Sequence, residues 1–295
     1  MEWGFANSFR SLLPLTGLTL GCSSPAPAVE SAPPDTADTF VVAVLTCDGP
    51  CGALPIARAK LCSGVLLAPN LVVTARHCVA VVLGADGMAN DRAQDADQVA
   101  CGDARFGTWR TLDHIAVFTD AVVRSEGPFV RPVELTAPDD DVVCGSDVAA
   151  MLLASPLAAA PVAPNLAERV APGDVFLAIG YGARAPGTSA GRRLRRDGLR
   201  VVCRGAGCAT TASGAPPFVA NSEWMGNAGP CAGDSGGGAF DTTGRLTGIL
   251  SRGGDADCGA PVYAQIDANA AWLRSVARRA AAVGAFPLPI WAFDN

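Results

Sequence analysis

The stretch GPCAGDSGGGAF, residues 229–240, sets one hydroxyl, that of Ser235, between an aspartate and three glycines. A serine hydroxyl is a weak nucleophile until a base takes its proton, and the base needs a third group to orient it and stabilise its charged form. Glycines let the backbone approach a reacting atom closely and turn sharply. The chemistry this pattern suggests is acyl transfer through Ser235. The chain has only two histidines, so the search for a base is short. His77 lies in LVVTARHCVA, at the end of an apolar run and beside a cysteine. His114 lies in TLDHIAVFTD, without small residues around it, and reads as an exposed strand residue.

The same pentad, GDSGG, fits the Gly-x-Ser-x-Gly nucleophile elbow of α/β-hydrolases. Chain order rejects that reading, because those enzymes place the histidine after the serine and both histidines here precede it. The order His, Asp, Ser is the chymotrypsin order. TARHC and CAGDSGGG, taken together, resemble the histidine and serine motifs of trypsin/chymotrypsin-like serine proteases. LCSGVLLAPNLVVTARHC resembles that family's histidine hairpin, GYG at 180–182 the start of its second barrel, LTGILSRGG its cleft strand, and APVYAQIDANAAWL its run into a C-terminal helix. The resemblance spans about residues 40–280 and implies an all-β fold of two six-stranded antiparallel barrels with a C-terminal α-helix.

By resemblance His77 is the general base, Ser235 the nucleophile, and the N–H groups of Gly233 and Ser235 the oxyanion hole. The family writes its acid as Asp, apolar, Ala, then an apolar pair. DHIAV at 113–117 puts Asp113 one residue too early, and a one-residue slip turns a strand side chain to the opposite face. Asp147, in SDVAAMLL, fits without a slip. Its distance from His77 then implies an insertion around residues 84–110, where GADGMANDRAQDADQVACGD reads as a polar loop.

The resemblance also implies a specificity pocket with Gly229 at its floor and Gly253 and Pro261 as walls, with Ser251 on the Asp147 side. An uncharged floor favours apolar side chains, although Asp255 and Asp257 stand in a nearby loop. Arg252 occupies a position that is usually aromatic. Family precursors are activated by a cut that frees an N-terminal Ile or Val, whose ammonium pairs with the aspartate before the serine, here Asp234. No Ile/Val-Gly-Gly precedes FVVAV, so either Val29 becomes a terminus or another group serves Asp234. Two disulfides follow by resemblance, Cys62–Cys78 and Cys231–Cys258. Cys47–Cys51, Cys101–Cys144 and Cys203–Cys208 are the remaining pairs, with zinc bound by Cys47, Cys51, Cys203 and Cys208 as the rival.

Composition bounds the rest. The 295 residues carry a net charge of −6, with 33 Gly and 22 Pro. Such a chain is turn-rich, and its acidity argues against general nucleic-acid binding. Arg192, Arg193, Arg195, Arg196 and Arg200 form one basic run, read as a solvated hairpin arm rather than a polyanion site. Residues 266–282, IDANAAWLRSVARRAAA, read as the one long helix, with Ile266, Ala270, Leu273 and Ala277 on its apolar face and Asp267 as a cap. Residues 1–21 read as a signal segment that ends before Cys22, either of lipoprotein type with Cys22 lipidated or of the ordinary secretory type. Without Cys22 the 11 cysteines become an even set, suited to five disulfides in an exported chain.

The organisation expected is therefore a signal over 1–21, a Pro/Ala/Ser-rich tether over 22–39, a protease domain over 40–280 with its barrel boundary near 160–175, and a tail over 281–295. The function expected is serine endopeptidase activity on proteins or peptides, by a monomer without cofactor or metal. The expected location is the periplasm, outer-membrane surface or exterior of a bacterium. The rival is a binding protein on the same fold, silent or locked as a precursor.

Overall fold

A computed structural model describes Met1 and residues 34–52, 59–84, 86–89, 104–124, 127–208, 219–254 and 258–293. The expected signal segment beyond Met1 lies outside the described residues, as do Cys22, Val29, Cys101, Asp255 and Asp257.

Two six-stranded antiparallel sheets dominate. The first is built from β1 (Val41–Thr46), β2 (Lys60–Ala68), β3 (Leu71–Thr74), β6 (Ile115–Phe118), β7 (Pro132–Thr136) and β8 (Ala149–Leu153), in the order β6-β1-β2-β3-β8-β7. A mutual pair of 2.9 Å hydrogen bonds between Val117 and Val130 curls its two edges toward each other. β4 (Ala80–Leu83) and β5 (Arg105–Trp109) form a separate ribbon beside it. The second sheet closes into a barrel, β10-β11-β14-β13-β12-β9. Its strands are β9 (Val175–Gly180), β10 (Leu194–Arg204), β11 (Glu223–Gly226), β12 (Gly238–Phe240), β13 (Leu246–Gly254) and β14 (Gly259–Gln265). The chain is thus mostly β, with the twin six-stranded layout of the chymotrypsin-like fold.

The strand-forming segments are rich in Val, Leu and Ile, which suit a pleated buried surface. All residues of β1, β3, β6 and β8 are buried, because the curled sheet encloses one face and the rest of the molecule covers the other. The second barrel is filled by Trp224 stacked on Tyr263 at 4.2 Å, with Phe176 edge-on to both. Aromatic pairs of this geometry gain more than their buried area alone provides.

Two local expectations change. The C-terminal helix runs Ala270–Gly284 and buries Leu273, Val276, Ala277 and Ala280, but Asp267 does not cap it. Asp267 sits in a preceding 3-10 turn and pairs with Arg169 at 3.3 Å, an ion pair formed only in the folded chain. Asp113 and His114 belong to a 3-10 turn, Leu112–His114, rather than to a strand; β6 starts immediately afterwards.

Candidate active site

His77 lies in the 3-10 turn Arg76–Cys78 that follows β3, and Asp147 in the segment entering β8. Antiparallel pairing of β3 with β8, Thr74 opposite Ala149, brings the two segments together. His77 Nδ1 lies 2.7 Å from Asp147 Oδ2, and the His77 backbone N–H donates to Asp147 Oδ1 at 2.9 Å. These two bonds fix the imidazole against the carboxylate. Ser251, on β13 of the other barrel, donates its hydroxyl to Asp147 Oδ2 at 2.7 Å. Burial pushes the Asp147 carboxyl upward. The His77 charge and the hydrogen bonds from His77 and Ser251 outweigh it and hold Asp147 below the ordinary carboxylate range.

Ser235 sits in the loop before β12 and is buried. Its carbonyl accepts the Ser63 N–H at 2.7 Å, which ties the loop to β2 of the first sheet. The Ser63 hydroxyl donates to the Gly233 carbonyl at 3.0 Å and accepts the Tyr181 N–H at 2.9 Å. Cys78 Sγ lies 3.8 Å from the Ser235 carbonyl and 3.7 Å from His77 Nε2, so the serine loop and the ring meet around this disulfide sulfur. Among the described residues no hydrogen bond joins the Ser235 hydroxyl to His77.

The glycines have specific causes. Gly236 has φ +82°, and a Cβ there would collide with the Ser63 carbonyl and the Thr74 hydroxyl. Gly233 has φ +95°. The Ala232 carbonyl accepts the Ala183 N–H at 2.9 Å, so in the trans peptide the Gly233 N–H points the opposite way. Among the described residues neither the Gly233 nor the Ser235 N–H donates to any group.

Asp234 is buried under this loop. Its carboxylate accepts the Gly182 N–H at 2.7 Å and the Cys231 N–H at 2.9 Å, and it pairs with Arg196 Nη2 at 3.0 Å. Side chains at Gly180 or Gly182 would run into this carboxylate, which accounts for the small residues flanking Tyr181. Arg196, read from the sequence as part of a solvated arm, is buried, and so is Arg193. Arg193 donates to the carbonyls of Val41 and Thr119 and to the Tyr181 hydroxyl, all at 3.0–3.1 Å. Arg192, Arg195 and Arg200 are exposed.

A second ion pair lies behind Asp147. Arg252 Nη1 and Nη2 reach the two oxygens of Glu223 at 2.7 Å each, with both side chains buried. Arg252 Nη1 also donates to the Ser251 hydroxyl at 3.2 Å. Glu223 accepts the Gly145 N–H at 2.8 Å, and the Ser222 hydroxyl donates to the Gly145 carbonyl at 2.7 Å. Gly145 has φ +106° and stands two residues before Asp147. Sequence reading left Glu223 out altogether.

The remaining expected residues are placed as follows. Gly229 has φ +119°, and a Cβ there would stand 3.1 Å from Leu199 and 3.3 Å from Arg196. Gly253 faces open space apart from the Gly259 carbonyl, 3.7 Å from a notional Cβ. Pro261 is buried and lies against Gly226. Ser251 does not offer its hydroxyl to a pocket, because Asp147 holds it. Asp113 is half exposed and lies near His114, 3.8 Å away, in the turn that packs on Cys51. Disulfides join Cys47–Cys51, Cys62–Cys78, Cys203–Cys208 and Cys231–Cys258, and Cys144 is also disulfide-bonded. Cys47, Cys51, Cys203 and Cys208 are therefore oxidised in two separate pairs rather than gathered as zinc thiolates. Among the described residues no helix is long and apolar enough to cross a membrane.

The family model described as Trypsin matches residues 44–273 of the chain. Among curated proteins none matches it.

Proposed function

Because the chain belongs to the trypsin family, we propose that it is a serine endopeptidase in which His77, Asp147 and Ser235 form the catalytic triad. The observation that carries the proposal is the buried 2.7 Å bond from His77 Nδ1 to Asp147, beside a Ser235 loop whose Gly233 and Ser235 N–H groups have no acceptor among the described residues. With Nδ1 engaged, Nε2 is the ring nitrogen left to act. His77 Nε2 takes the Ser235 proton as Oγ attacks the substrate carbonyl carbon. The Gly233 and Ser235 N–H groups receive the charge that develops on the carbonyl oxygen. Asp147 stabilises the imidazolium, which then gives its proton to the leaving amine. Water enters, His77 takes its proton, and the acyl-enzyme is hydrolysed. The link between Ser235 and His77 is the one that tightens when substrate binds, as such contacts do.

The disulfides fit an oxidising compartment, so we also propose export of the chain. Its catalytic unit is proposed to span residues 40–280. A fluorophosphonate probe tests the function. The folded wild-type protein is expected to react at Ser235, and Ser235→Ala and His77→Ala are expected to lose both labelling and peptide hydrolysis. A folded wild-type protein that neither labels nor cleaves would leave the binding-protein reading in its place.

A further inference from the structure

The carboxylate of Asp234 is buried beside the nucleophile and needs a countercharge. Arg196 supplies one: its Nη2 lies 3.0 Å from Asp234 Oδ2, with the two side chains 8% and 3% exposed. The same Nη2 donates to the Ala183 carbonyl at 2.8 Å. Ala183 in turn donates its N–H to the Ala232 carbonyl, the bond that directs the Gly233 N–H the opposite way. Asp234 itself holds the Gly182 and Cys231 N–H groups. Arg196 therefore reaches the Ala183 backbone directly and the serine loop through the Asp234 carboxylate.

We propose that Arg196 is the internal countercharge that organises the oxyanion loop, so that the site is competent without a cut that frees a new N-terminal ammonium. The proposal rests on the function given above. It concerns a positioning residue, which acts through Asp234 and Ala183 and not on substrate. A guanidinium suits this place because its planar fork presents donors in fixed directions and carries its charge permanently. It also arrives with β10, already paired in register with β9, Arg196 opposite Ala178. The pair thus forms when the second barrel folds, whatever lies upstream of residue 34. A lipid anchor at Cys22 could then remain joined to a working enzyme.

The test uses the full chain, with intact mass recorded alongside fluorophosphonate labelling. Label is expected on the species that retains its residues upstream of 34. Label confined to chains that begin at a new terminus would overturn the inference and leave the proposed function standing. No label on either species would overturn both. Arg196→Met is expected to lower kcat of the folded fraction about 100-fold, the size of losing one oxyanion donor, with KM little changed. Arg196→Lys, which keeps the charge, is expected to recover part of that loss. Arg196→Met with Asp234→Asn removes the unpaired charge and is expected to regain thermal stability without regaining kcat. A lower melting temperature in Arg196→Met with unchanged kcat would assign Arg196 a structural role only and overturn the inference.

Discussion

Arg252 and Glu223 meet in a buried two-pronged ion pair that stands two hydrogen bonds from Asp147. One path runs from Arg252 Nη1 through the Ser251 hydroxyl to Asp147 Oδ2. The other runs from Glu223 to the Gly145 N–H, in the turn that delivers Asp147. A single pair of side chains from the second barrel thus braces an acid carried by the first.

Removing one partner should be costly, because it leaves a buried charge uncompensated. Arg252→Met is expected to destabilise the fold by about 3–5 kcal/mol. Adding Glu223→Leu should recover only part of this, since the Gly145 and Ala220 N–H groups would then lose their acceptor. Urea unfolding of the two variants measures the difference. Equal stability of the single variant and wild type would show that the pair braces nothing.

Asp147→Asn is expected to lower turnover by about 10⁴-fold while keeping the fold, because the amide favours the wrong imidazole tautomer. Asp113→Asn is expected to change turnover little, since Asp113 is half exposed in a turn that bonds to the Cys51 segment instead. Steady-state kinetics on the pair decides the assignment, and a large loss in Asp113→Asn alone would reverse it.

His77 and Ser235 stood out as candidates because the chain offers only two histidines and sets this serine among glycines. The second barrel was legible through family resemblance, carried by GYG at 180–182, LTGILSRGG and APVYAQIDANAAWL. The buried arginines Arg196 and Arg252 were not. Arg196 shares the inward parity of Leu194 on β10, and that phase was the available signal. A run of five arginines obscured it, because charge density reads as surface until a buried acid on a distant loop is known to face it. Arg252 was hidden for the same reason: Glu223, its partner, lies 29 positions away.

The depressed Asp147 carboxyl ties stability to pH with a definite sign. Its folded value lies below the unfolded one, so the unfolded chain binds the extra proton first as pH falls. The contribution is fully present above the unfolded carboxylate range, near 4, and is lost as pH falls through the lower folded value. Asp147→Asn has no such titration. Denaturation of the two proteins between about pH 2 and 6 should show wild type losing its advantage over Asp147→Asn toward the acid end. A constant difference across that window would place the titrating group elsewhere.

The proposed pocket is expected to select medium apolar side chains. Gly229 offers no carboxylate at the floor, and an Arg or Lys charge taken out of water without a partner is strongly disfavoured. Cleavage after Val, Leu or Ala should therefore exceed cleavage after Arg or Lys, and Pro261 on one wall should disfavour the largest aromatics. Simple grafting of an acid is expected to fail. Gly229→Asp would force a side chain into φ +119° and against Leu199 at 3.1 Å, so it should lower stability before it changes specificity. A peptide library read by mass spectrometry gives the profile. Cleavage after Arg or Lys that disappears in Asp255→Ala or Asp257→Ala would show a loop acid acting as the floor. Cleavage after Asp or Glu would point instead to Arg196, whose Cδ lies 3.3 Å from the notional Gly229 Cβ and whose Nη1 has no hydrogen-bond partner among the described residues.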